Sequence, residues 1–212
     1  RINFTKLSAY VSRSTRRLLP YSQMSAIDTL SYVSAPATLV ARLDLALERL
    51  TPGYFALVMA TGIISVAMRT NDWMAVSVAL LAIAVAAFVI LVVLNVLRFL
   101  RHRAAMAADL ADPARAFGFF TFVAATCVLG SRLSQDSLHV ASLALLVVGS
   151  VAWLILGYVV PWTAVLGQRS ERALGTANGT WFIWAVASQS IAVLAATLEA
   201  EIDAWRNFLA LL

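Results

Sequence analysis

Residues 75–97 read AVSVALLAIAVAAFVILVVLNVL. These 23 residues contain no Asp, Glu, Lys or Arg, and almost all are Ala, Val, Leu or Ile. At about 1.5 Å per helical residue the stretch reaches the roughly 30 Å thickness of a bilayer's hydrocarbon. Lipid offers the backbone no hydrogen-bond partners, so an uncharged run of this length must satisfy its own amides as a helix. Strand-length alternation is absent, which rules out a β-barrel.

Outward from this run, four more uncharged stretches lie between charged residues: Arg49 to Arg69, Arg115 to Arg132, one within Asp136 to Arg169, and Arg172 to Glu199. Residues Trp205–Leu212 read as the first turns of a sixth. The expected fold class is an all-α, polytopic membrane protein with five full spans. Residues 51–212 form the transmembrane domain, incomplete at its C-terminal end.

Composition supports this reading. The 212 residues are 61% hydrophobic and 13% charged, with a mean hydropathy of +0.84. A soluble domain carries about 25% charged residues, so no soluble fold of this size could bury so much apolar material. The net charge of +5 is the kind of excess that binds nucleic acid, but in a membrane chain it reports orientation. No nucleic-acid partner is expected; the bilayer is.

Residues 1–50 hold seven Lys and Arg, the 98–115 loop four and the 169–172 loop two, against Arg69, Arg132 and Arg206 on the opposite side. This bias places the N-terminus and the basic loops in the cytoplasm, in an inner cell membrane. Residues 1–50 are a cytoplasmic segment, partly amphipathic or disordered. Within it, Thr38–Arg49 has the pattern of an interfacial helix, and Met24 offers an alternative start. A cleaved signal peptide is not expected, because the first apolar run begins too late.

The odd spans open alike. The first begins Gly53-Tyr54-Phe55, the third Gly118-Phe119-Phe120 and the fifth Gly179-Thr180-Trp181. The glycines are 65 and 61 residues apart, one helical hairpin plus its loop, so the unit of construction is a parallel two-helix repeat. Nine residues after each glycine stands a small residue: Gly62, Cys127 and Ser188. The aromatic and the small residue are seven apart, on one helix face. Two explanations compete. Aromatics suit the interfacial belt and small residues suit close helix packing; alternatively, these faces line a common conduit. The even spans are hydrophobic all round and the odd ones hold most of the hydroxyls and glycines, which favours an inner and an outer ring. Phe55, Phe120 and Trp181 are then candidates for a cytoplasmic-side ring, and Gly62, Cys127 and Ser188 for a narrow mid-membrane layer of a pore.

Reactive chemistry is sparse. Within the spans there are no paired carboxylates, no His-rich cluster and no nucleophile–base pair, so no catalytic residue is assigned and an enzyme is not expected. One cysteine, Cys127, excludes an intrachain disulfide. His102 and His139 lack metal-ligand spacing, so neither metal nor cofactor is expected. Gly175-Thr176-Ala177-Asn178-Gly179 lacks the Lys of a phosphate loop and is read as a helix start capped by Thr176 or Asn178. Without an intramembrane carboxylate a proton relay has no carrier, whereas hydroxyls, amides and helix N-termini can stabilise an anion. Arg69 and Arg132, just past the first and third spans, either attract anions to an outer mouth or snorkel and end their spans.

Three blocks resemble a known family. Pro52-Gly53-Tyr54-Phe55-Ala56-Leu57-Val58-Met59-Ala60-Thr61-Gly62 is similar to the opening helix of the tellurite-resistance/C4-dicarboxylate transporter family, which includes slow-type anion channels. Ala116–Ala124 with Val128-Leu129-Gly130 resembles its third helix, and Asn178–Phe182 with Ala187-Ser188-Gln189 its fifth. The resemblance implies five hairpins around a central pore, odd helices inside, a homotrimer with one pore per subunit, and passage of small anions such as malate, other C4-dicarboxylates, chloride or nitrate. The family's occluding phenylalanine lies on a late helix beyond Leu212, and its inner-helix prolines are missing here, which leaves Gly62 and Gly130 as the weak points. The chain is thus read as the N-terminal half of an anion channel or carrier. A membrane-embedded enzyme or sensor, or a drug/metabolite-type effluxer, is the alternative.

Overall fold

The computed structural model describes residues 39–166 and 179–211. The stretch before Thr38 and the helix start at Thr176 or Asn178 lie outside these residues. Two compact units divide the chain, Arg1–Asp44 and Leu45–Leu212, and all the long apolar helices belong to the second.

Among the described residues the regular structure is helical, with no strand. Among the described residues five helices are long and apolar enough to cross a membrane: Pro52–Thr70, Met74–Arg101, Pro113–Ser134, His139–Thr163 and Gly179–Ala200. The protein is an all-α polytopic membrane protein. Ahead of the spans lies the amphipathic helix Leu39–Glu48, and the short helix Arg103–Ala111 fills the loop between the second and third spans. The fifth span's helix is continuous over Ile183–Leu211, so residues 205–211, expected to open a sixth span, extend the fifth. From Thr180 onward there is neither Gly nor Pro to stop it.

The repeated glycine motif has a repeated structure. Each odd span has a short 3₁₀ turn at its glycine, Pro52–Tyr54, Phe117–Phe119 and Gly179–Phe182, just before its long α-helix; in the third span the helical turn Pro113–Ala116 precedes it. These openings touch one another. A Cβ on Gly118 would stand 3.4 Å from the Gly53 amide nitrogen, and Thr121 Oγ1 donates to the Pro52 carbonyl at 3.0 Å. Trp181 stacks on Phe117 with ring centroids 4.9 Å apart, while its indole N–H donates to the Pro113 carbonyl at 3.1 Å.

The first two hairpins also turn in the same register. Nineteen residues after its glycine each has a residue with positive φ, Asp72 (62°) and Ser137 (61°). The amide of the next residue in each closes the turn, Trp73 onto Met68 and Leu138 onto Leu133. Five residues further on, Ser77 and Ser142 reach back across their hairpins: Ser77 Oγ to the Ser65 carbonyl at 2.7 Å, Ser142 Oγ to the Gly130 carbonyl at 2.9 Å. The parallel repeat seen in the glycines is therefore a repeat of backbone construction.

The third span is the core of the bundle. It is 83% buried, whereas the other four spans are each less than a quarter buried. Lipid tails are as apolar as Leu, so close packing rather than water exclusion holds such helices together. Small residues supply it: Val128 Cγ1 fills the space beside Gly62, the Cys127 sulfur sits against Gly149, and Leu194 lies over Gly130. Between the first, second and third spans, Phe55, Phe88 and Phe122 form an aromatic cluster with centroids 5.1–5.9 Å apart. A Cβ at Gly130 would meet Leu194 Cδ2 at 2.7 Å, and Leu194 is wholly buried. Gly130→Val should therefore destabilise by about 1–3 kcal/mol through overpacking, read as a lower melting temperature in detergent. Gly157→Val, with nothing within 4 Å, should leave it unchanged.

Candidate functional site

A groove of about 420 Å³ runs between the first and fifth spans, with the third span as its floor. The first span contributes Ile63 and Val66, the third Val128 and Ser131, and the fifth Ala185, Val186, Gln189, Ser190 and Val193. Spacings of three, four and seven put each set on one face of its helix. All nine lining residues come from odd spans, and none is charged. The polar groups are the hydroxyls of Ser131 and Ser190 and the amide of Gln189. Ser190 Oγ donates to the Val186 carbonyl at 2.8 Å, which leaves its oxygen able to accept a further donor.

At one end of the groove, Val66 and Ser131 lead into Arg69 and Arg132. Asp136 joins the two arginines, with Arg69 Nε 3.3 Å from Oδ1 and Arg132 Nη1 2.7 Å from Oδ2. The Arg132 side chain is wholly buried, whereas Arg69 and Asp136 are each about a third exposed. Arg132 Nε lies 3.2 Å from Ser65 Oγ and 3.1 Å from Ser77 Oγ. Those serines also bond each other's carbonyls, at 2.8 and 2.7 Å. Arg132 therefore ties the first three spans together from inside, while Arg69 is the arginine open to the surroundings. Two guanidinium groups thus share this one carboxylate.

The six residues singled out by the repeat lie behind the groove, and none is among its lining residues. Phe55 belongs to the aromatic cluster with the second span, and Gly62 abuts Val128. Phe120 is buried beside Phe117 and Trp184, and Trp181 stacks on Phe117. Cys127 faces Gly149 of the fourth span. Ser188 accepts a hydrogen bond from the Trp153 indole of the same span at 3.0 Å. Each small residue makes room for a neighbouring helix.

The groove-facing residues come one position later: Ile63, Val128 and Gln189 follow Gly62, Cys127 and Ser188. One residue is about 100° around a helix, which separates the two surfaces. The register signal was present, ten residues after each glycine. Ile, Val and Gln share no side-chain type, so nothing in composition drew attention to them.

The SLAC1 model, described as voltage-dependent anion channel, matches residues 49–211, a range that takes in all five spans. The chain belongs to the SLAC1 voltage-dependent anion channel family. No curated protein and no solved structure matched it. As a SLAC1-family member it handles anions in a membrane, and the groove of its odd spans, free of carboxylates, is a surface on which an anion meets no like charge.

Proposed function

We propose that this SLAC1-family chain carries small anions, C4-dicarboxylates such as malate among them, along the groove of its first, third and fifth spans. The observation that supports this reading is the composition of the wall: odd-span residues alone, apolar apart from two hydroxyls and one amide. The Gln189 amide can donate to a partly dehydrated anion, while the Ser190 proton is committed to the Val186 carbonyl, so the wall holds an anion weakly enough that it can leave. Ile63, Val128 and Gln189 face the ion in this reading. Phe55, Gly62, Phe120, Cys127, Trp181 and Ser188 pack the helices whose faces form the groove. Arg69, the partly exposed guanidinium of the two on Asp136, attracts anions to the outer end in this reading. The charge bias of the loops supports an inner-membrane location with a cytoplasmic N-terminus, and the family resemblance supports a homotrimer with one pathway per subunit.

The test is anion flux in liposomes carrying the protein. Val128→Trp and Gln189→Trp should each lower malate- or chloride-dependent flux about tenfold, equivalent to about 1.4 kcal/mol of added barrier. Ile83→Trp, on the exposed face of the second span, should leave flux unchanged. Undiminished flux in both groove variants removes the groove from the pathway, and the absence of any anion-dependent flux removes the function.

A further inference from the structure

On the other side of the third span from the groove, a second cavity of about 390 Å³ opens between the first two hairpins. Its walls include Phe55, Val96, Phe99, Met106, Phe122 and Ile155. They come from the first four spans and the short loop helix. Val96, Phe99 and Ile155 are each more than half exposed, so the cleft opens sideways to whatever surrounds the bundle. In a membrane that is lipid. The wall offers almost no polar group: the Asn95 side-chain amide donates to the Leu91 carbonyl at 2.8 Å, within its own helix. An occupant must present an apolar chain.

The rim is different. Arg103, exposed at the start of the loop helix, holds its guanidinium 5.2 Å above the ring of Phe99, one of the cleft's own walls. Arg98 and Arg115 of the same loop are ion-paired to Asp109, at 2.7 and 2.6 Å. Those two guanidinium groups are held on the buried Asp109 carboxylate; that of Arg103 is presented at the mouth of an apolar slot. An apolar slot with a cation at its edge fits an acyl chain with an anionic head, and in a bilayer the abundant source of that chemistry is an anionic phospholipid.

We infer that the cleft between the first two hairpins binds an anionic phospholipid, its acyl chain along Phe55, Val96, Phe122 and Ile155 and its phosphate at Arg103. A cavity of this volume falls within the range of sites for small ligands. A basic side chain at an anionic lipid surface contributes enough for about a fivefold preference.

Native mass spectrometry on the full chain, released from nanodiscs of equal phosphatidylglycerol and phosphatidylcholine with identical acyl chains, tests this. The wild-type protein should retain phosphatidylglycerol about fivefold over phosphatidylcholine. Arg103→Gln should equalise the two lipids. Val96→Trp, which fills the slot from an exposed helix face, should remove both, while Ile83→Trp should not. The site is refuted by equal retention of the two lipids in the wild type, or by unchanged retention in Val96→Trp. It is equally refuted if Val96→Trp alters the oligomeric state and leaves lipid retention intact, since the cleft is then a contact between copies of this chain.

Discussion

Asp109→Asn is expected to cost about 3–5 kcal/mol of stability, the penalty for leaving a buried charge uncompensated. The Asp109 carboxylate is buried and accepts from both Arg98 and Arg115. Arg98 is 1% exposed and also donates through Nε and Nη2 to the Glu48 carbonyl, at 3.2 and 3.0 Å. The carboxylate thus neutralises a guanidinium that joins the end of the second span to the last turn of the amphipathic helix. Asparagine keeps the shape and one acceptor but removes the charge. Thermal unfolding in detergent should show a large drop in melting temperature. Asp112→Asn, three residues on, should show almost none. Asp112 Oδ1 accepts from the Ala114 amide at 3.0 Å as an N-cap, and Asn caps a helix as well as Asp. Equal shifts for the two variants would mean that the buried ion pair contributes nothing beyond its hydrogen bonds.

The second large effect is expected at the opposite end of the bundle. Asp136→Asn strips the carboxylate from Arg132, whose side chain is wholly buried, and should cost roughly 3 kcal/mol. Part of the carboxylate is open to solvent, which keeps this cost at the lower end of the range for buried pairs. Arg132→Met in the Asp136→Asn background should restore most of the loss, because an apolar side chain of similar length has no charge to compensate. Ser65 and Ser77 still satisfy each other in the double variant through their reciprocal bonds. Losing Arg69 from Asp136 matters little, since that pair is exposed. A double-mutant cycle read by thermal unfolding measures the coupling. If the double variant is no more stable than Asp136→Asn alone, Arg132 is held by its serines and not by the carboxylate.

Much of this architecture was legible in the residues. Uncharged runs fixed five spans to within a few residues, because a bilayer imposes both length and composition. The Gly-x-aromatic openings announced a parallel repeat, and the structure extends it to the turns at Asp72 and Ser137 and to the serine bonds of Ser77 and Ser142. The SLAC1 family was legible from the same blocks. The helix end was not: residues 205–211 continue the fifth helix, although Glu199, Glu201 and Asp203 end its apolar run. Charge ends a membrane span, but it need not end the helix that carries it.

The uncharged run of residues 75–97 and its four counterparts therefore determined, from sequence alone, that this is a bundle of membrane helices built by repetition. Sequence also located the small residues that let those helices approach. Which way each face turns was decided by tertiary structure alone. Gly62, Cys127 and Ser188 face neighbouring helices, and the residues one step on, Ile63, Val128 and Gln189, face the groove. Likewise the carboxylate at Asp136, 67 residues from Arg69, pairs with both Arg69 and Arg132 only after folding. The physical reason is the same in each case. Hydrophobicity measures how much of a helix can enter lipid, but a rotation of about 100° between adjacent residues is settled by which side chains fit against which.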